Sequence, residues 1–144
     1  MRTRIIAGAP QERRYAIVFE SGDDLLEELQ QFCERENLSS AFFYGIGGFR
    51  RATVGYYDIE QKRYLPIDVD EQVELLSLIG NVTRYEDRPR IHAHCIVGHR
   101  DGRTTGGHLL QAAVRPTLEL FLQESAVPIA RTARPDVGIP LIDL

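Results

Sequence analysis

The sequence predicts a strand-dominated α/β domain of the α+β type. Three observations carry that expectation. Runs rich in β-branched and aromatic residues recur between turn signals from Arg14 to Gln123. Only one long segment, Leu25 to Cys33, repeats its apolar residues at helical spacing. The 144 residues, 43% hydrophobic and 26% charged, fit a single domain spanning 1–144 with its own core. No internal repeat, linker or low-complexity stretch divides them.

The elements follow in order. Arg14-Tyr15-Ala16-Ile17-Val18-Phe19 reads as a strand. Ser21-Gly22-Asp23-Asp24 supplies oxygen side chains that cap the first turn of a helix. In that helix Leu25, Leu26, Leu29, Phe32 and Cys33 face one way, with glutamates and glutamines on the other face, and it ends near Asn37. A second strand covers Ser40 to Ile46, broken by Gly45-Ile46-Gly47-Gly48, which reads as a tight turn or bulge. That stretch lacks the Lys-Ser/Thr of a phosphate-binding loop. Ala52 to Tyr57 is a third strand, Asp58 to Lys62 a turn, and Arg63 to Leu65 a short strand.

Val73 to Val82 reads as a longer strand and Tyr85 to Pro89 as a loop. Arg90 to Val97 is a strand that ends in the hairpin-like turn His99-Arg100-Asp101-Gly102. Leu109 to Val114 fits either a short helix or a strand. Thr117 to Gln123 alternates, with Leu118, Leu120 and Leu122 opposite Glu119, Phe121 and Gln123, and reads as a strand. The tail, Ala130 to Leu144, holds Pro135 and Pro140 and reads as extended.

The net charge of −4 argues against a dedicated nucleic-acid binder, and the basic residues, all arginine except Lys62, are scattered. No apolar run approaches membrane-spanning length. The N-terminus lacks the apolar region of a signal peptide. Cys33 and Cys95 sit in apolar patterns, as small buried hydrophobes rather than a disulfide. These features together predict a cytosolic protein.

The chemistry concentrates in one segment. All four histidines, His92, His94, His99 and His108, fall within it. In a strand, residues i and i+2 share a face, so His92 and His94 present two imidazoles side by side. Gly106 and Gly107 allow close backbone approach and positive φ, which helps to aim His108. Three neutral imidazoles converging on one point form a divalent-metal site with a fourth position left for water or a ligand. His99, five residues after His94, faces away from that pair. Glu119 reads equally as a solvated strand residue, an acceptor that orients an imidazole, or a general base beside metal-bound water. Cys95 points to the opposite face from His94. Two metal-enzyme templates fit poorly: a metal-dependent hydrolase barrel needs about 250 residues, and a cupin needs a glutamate near Gly98-His99.

The run Pro89-Arg90-Ile91-His92-Ala93-His94, then Asp101-Gly102, then Gly106-Gly107-His108-Leu109, resembles the signature of the PPC (plants and prokaryotes conserved) domain family. Gly45-Ile46-Gly47-Gly48-Phe49, Leu76-Ser77-Leu78-Ile79-Gly80 and Thr117-Leu118-Glu119 fall in the expected order, so the resemblance covers nearly the whole chain. It implies a central, mostly antiparallel sheet flanked by helices and assembled as a homotrimer. It also implies a zinc site near the subunit boundary, held by His92, His94 and His108. The family often carries a DNA-binding label. In plants the domain is joined to AT-hook motifs of the Arg-Gly-Arg-Pro kind, and no such segment occurs here. The plant partner-recruiting segment aligns with Glu71 to Leu76, where only the second half is similar.

Three functions are compatible with these residues. The first is a trimeric module that binds zinc or a small ligand. The second is a zinc-dependent enzyme acting on a small metabolite, with Glu119 as base and arginines such as Arg90 binding an anionic substrate. The third is a DNA-binding regulator, which rests on the family label more than on these residues.

Overall fold

The structure is a computed structural model that describes residues 1–144. One helix and nine strands follow in the order β1 (Arg2–Ala7), β2 (Arg14–Glu20), α1 (Leu25–Arg35), β3 (Ala41–Asp58), β4 (Arg63–Val69), β5 (Val73–Tyr85), β6 (Arg88–Gly98), β7 (Thr104–Glu124), β8 (Ala130–Arg134) and β9 (Ile139–Asp143). All the strands join one sheet. Every pairing is antiparallel except a single parallel bridge from β5 to β8, Arg84 opposite Ala130. Strands β3, β5, β6 and β7 pair in a cycle, β3–β5–β6–β7–β3, so these four close on themselves. That closure brings β6 and β7, which carry the histidines, side by side.

Helix α1 starts and stops where its sequence chemistry says it should. The Asp24 side chain accepts a hydrogen bond from the Glu27 amide. At the other end Asn37 adopts φ 51°, a left-handed conformation that asparagine tolerates. The Asn37 and Leu38 amides then bond back to the carbonyls of Glu34 and Cys33, which closes the last turn. Leu25, Leu29, Phe32 and Cys33 are buried and join Ile17, Phe19, Phe43, Leu78, Leu118, Leu120 and Leu122 in one apolar core.

The other face of the sheet is uncovered over much of its area. In β3, Phe43 points into the core while Phe42, Tyr44 and Ile46 point out. Ile79 of β5, Ile96 of β6 and Phe121 of β7 are also exposed, and Tyr44 stacks on Phe121 at 5.7 Å.

Several expectations require correction. The second and third strands are one strand, β3. Its glycines bulge it without ending it: the register shifts between Gly45 and Gly47 against β5, and between Gly47 and Phe49 against β7. Gly47 has φ 154°, and a Cβ there would stand 2.4 Å from the Thr117 carbonyl oxygen, so only glycine fits. The segment Leu109 to Val114 belongs to β7. The loop from Tyr85 to Pro89 shrinks to a two-residue turn, Glu86-Asp87, both at positive φ, which joins β5 directly to β6. The tail is a hairpin, β8–β9. The fold has one helix, not helices flanking the sheet. Strand β1, which sequence reading did not assign, pairs with β2 and is exposed along its length.

Candidate metal centre

Register brings the three histidines together. His94 stands opposite His108 across the β6–β7 pair. Across the β5–β6 pair, Asn81 stands opposite His92 and Ile79 opposite His94. Paired residues share a face, so all three imidazoles project from the face away from α1. One ligand nitrogen from each of the three lies within 4.8 Å of the other two. The Nε2 atoms of His92 and His94 are 3.2 Å apart. A tetrahedral zinc site with Zn–N bonds of about 2.0–2.1 Å requires nitrogens roughly 3.3 Å apart. The donor pair therefore already stands at the spacing of a tetrahedron's edge.

His108 is held from two sides. Its ring stacks on Tyr64 of β4, with centroids 4.3 Å apart and planes inclined by 18°. Tyr64 in turn meets Tyr57 edge-on at 4.9 Å. Tyr57 donates its hydroxyl to the Val137 carbonyl, which ties the wall of the site to the tail hairpin. Gly107 does not have positive φ; its role is close approach. A Cβ there would sit 2.8 Å from the Gly55 carbonyl oxygen, so glycine lets β3 and β7 pair tightly beside His108.

The surroundings of His92 and His108 favour their neutral forms. Burial pushes His108 down to about 4, because a proton there would have to be held away from water and beside the neighbouring imidazoles and the Arg90 guanidinium. His92 is also lowered, first by burial and then by Arg131, His94 and Arg90. Neutral imidazole is the metal-binding form. Nδ1 of His108 is the only buried side-chain polar atom without a hydrogen-bond partner. That unmet valence, the 3.2 Å edge and the all-imidazole donor set fit a divalent ion of the zinc type.

Arg131 of β8 completes the surroundings, and sequence reading missed it. Its Nε donates to Thr83 Oγ1 at 2.7 Å, its Nη1 to the Pro140 carbonyl at 3.1 Å and its Nη2 to Asn81 Oδ1 at 3.0 Å. The same Nη2 lies 3.4 Å from Nδ1 of His92. Nothing local marks this arginine in a tail that reads only as extended; the β5–β8 bridge puts it there.

The other candidates lie elsewhere. His99 is outside the cluster: its Nδ1 is 2.8 Å from Glu71 Oε1 and its Nε2 is 2.8 Å from Thr105 Oγ1. Glu119 is exposed on β7, opposite Val18 and Ile46. It sits eleven residues beyond His108, roughly 35 Å along an extended strand. Cys95 is buried in the core, and burial raises its thiol to about 11.

Known proteins share this fold. A plant- and prokaryote-conserved (PPC) protein of Pyrococcus horikoshii has a TM-score of 0.86 at 34% identity, covering 92% of both chains. A metal-containing protein from Archaeoglobus fulgidus has a TM-score of 0.85 at 30% identity, covering 100% of this chain and 99% of that one. A protein from Bacteroides thetaiotaomicron, whose name proposes DNA binding, has a TM-score of 0.89 at 25% identity, covering 98% and 96%. The bifunctional protein GlmU of Synechococcus sp. (strain JA-3-3Ab) is 31% identical over a 127-residue alignment that covers 83% of this chain, but the chain spans only 19% of that protein's length. Residues 7–126 match the family profile described as the Plants and Prokaryotes Conserved (PCC) domain. The chain belongs to the Plants and Prokaryotes Conserved domain family.

Proposed function

We propose that this chain is a divalent-metal-binding module, with zinc the best-fitting ion, held by His92, His94 and His108 and working as a homotrimer. The single observation that carries this reading is the convergence of three imidazole nitrogens within 4.8 Å, with one edge at 3.2 Å. A fourth coordination position is left for water or a small ligand. The metal-containing relative from Archaeoglobus fulgidus supports the same reading.

The trimer is supported by the uncovered apolar face. Phe42, Tyr44, Ile46, Ile79, Ile96 and Phe121 are exposed together, and contiguous apolar surface of this kind marks interaction sites. Cys33 and Cys95 are free, buried thiols, which fits a reducing compartment and a place in the cytoplasm. No helix is long and apolar enough to cross a membrane.

Binding is favoured over hydrolysis because Glu119 is too far along β7 to serve the triad as a base. DNA binding has less support: the net charge is −4. Elemental analysis of chelator-free protein, paired with its mass in solution, tests the reading. About one zinc per chain on a trimer supports it. A protein that neither carries nor takes up zinc removes it.

A further inference from the structure

Every charged group that acts on the triad is positive. Arg90, His92 and His94 alternate along β6, so Arg90 shares the face of the two imidazoles. Arg131 approaches from β8 and contacts His92. Neither guanidinium takes part in any of the chain's salt bridges. The acceptors around Arg131 are all neutral: a threonine hydroxyl, a backbone carbonyl, an amide oxygen and an imidazole nitrogen. A half-buried guanidinium without a counter-charge is costly. A divalent ion in the triad would add two further positive charges, still with no carboxylate beside it.

We infer that this face is a binding site for a small organic anion, with a carboxylate held by Arg131 and Arg90 and a second oxygen placed at the open metal position. The inference rests on the metal-binding reading above and names the class of ligand for that site. Arg90, which is in no salt bridge, keeps its planar N–H fork free to match the two carboxylate oxygens, while Arg131 adds one charge-assisted bond. Arg131 has five N–H groups, and its four contacts leave one for an incoming acceptor. Its acceptors fix the guanidinium in place, so little rotamer freedom is lost on binding.

The test is calorimetric titration of malonate, with neutral malonamide as control, into metal-free and zinc-loaded protein. It is run on the wild type, Arg131→Gln and Arg90→Gln, with zinc content measured for each. Arg90 is exposed and unpaired, so its substitution leaves the fold intact even where Arg131→Gln loosens the tail. The expected result is malonate binding to zinc-loaded wild type, none for malonamide, and affinity roughly ten-fold weaker in both variants at unchanged zinc content. Zinc-loaded protein that ignores malonate, or binds it equally well in both variants, overturns this inference and leaves the metal reading standing. Wild type that takes up no zinc overturns the metal reading, and this inference with it.

Discussion

His94 on β6 stands opposite His108 on β7, their ring centroids 5.4 Å apart and their planes nearly perpendicular at 86°. Fourteen residues separate them in sequence. The turn around Asp101-Gly102 folds the chain back so that strand pairing, rather than a loop, delivers the third imidazole. The donors are therefore fixed by sheet hydrogen bonds, which favours a preorganised site.

That dependence on register makes Gly107 sensitive. Gly107→Ala puts a Cβ 2.8 Å from the Gly55 carbonyl oxygen, which forces β3 and β7 apart beside His108. The expected cost is about 1–3 kcal/mol of stability, with weakened zinc binding. Urea unfolding of metal-free protein and a competitive zinc titration check the two effects separately.

The lowered histidines predict a pH dependence for metal-free protein. His108 titrates near 4 when folded, against about 6.5 when unfolded. Between those values the unfolded chain binds a proton that the folded chain refuses, so stability rises with pH across this window. His92 acts in the same direction. Stability should be complete above about pH 6.5 and fall as pH drops toward about 4. His108→Gln should flatten much of that slope, as measured by denaturant melts across the range.

The uncovered sheet face predicts assembly through its aromatic pair. Tyr44 and Phe121 stack there, exposed to solvent in the single chain. Phe121→Asp places a charge on the proposed interface, so sedimentation should show a monomer with an intact fold. Unchanged mass would move the interface elsewhere.

A second ion cluster staples the far end of the sheet. Arg13 donates to both carboxylate oxygens of Glu124, at 2.8 and 3.1 Å, and to Glu36 at the end of α1, at 2.8 Å. Glu124 is buried, so Glu124→Ala leaves Arg13 half-paired. The expected loss is about 2 kcal/mol, read from thermal or urea melts, with zinc binding unaffected.

Much of this was legible in the sequence because it is local. The helix at Leu25 follows from its apolar spacing and its Asp24 cap, and the alternation of Leu118, Leu120 and Leu122 marks the buried face of β7. The His-Ala-His spacing and the Asp101-Gly102 turn likewise pointed to the triad. What escaped depends on distant pairing. Gly45 to Gly48 read as a break, yet β3 is held by β5 on one side and β7 on the other and bends through it. Strand β1 and the tail hairpin gain strand structure only from their partners. Arg131 carries no local sign of function; the tail hairpin brings it to His92 across 39 residues of sequence.

The central claim is that His92, His94 and His108 bind one metal ion together. X-ray absorption at the zinc edge of zinc-loaded protein, for the wild type and the His92→Ala/His94→Ala double variant, tests it most directly. The account predicts three imidazole nitrogens at about 2.0–2.1 Å plus one oxygen ligand such as water, and loss of that imidazole pattern in the variant. Zinc surrounded by water or carboxylate oxygens alone, or an identical spectrum in both proteins, would contradict it.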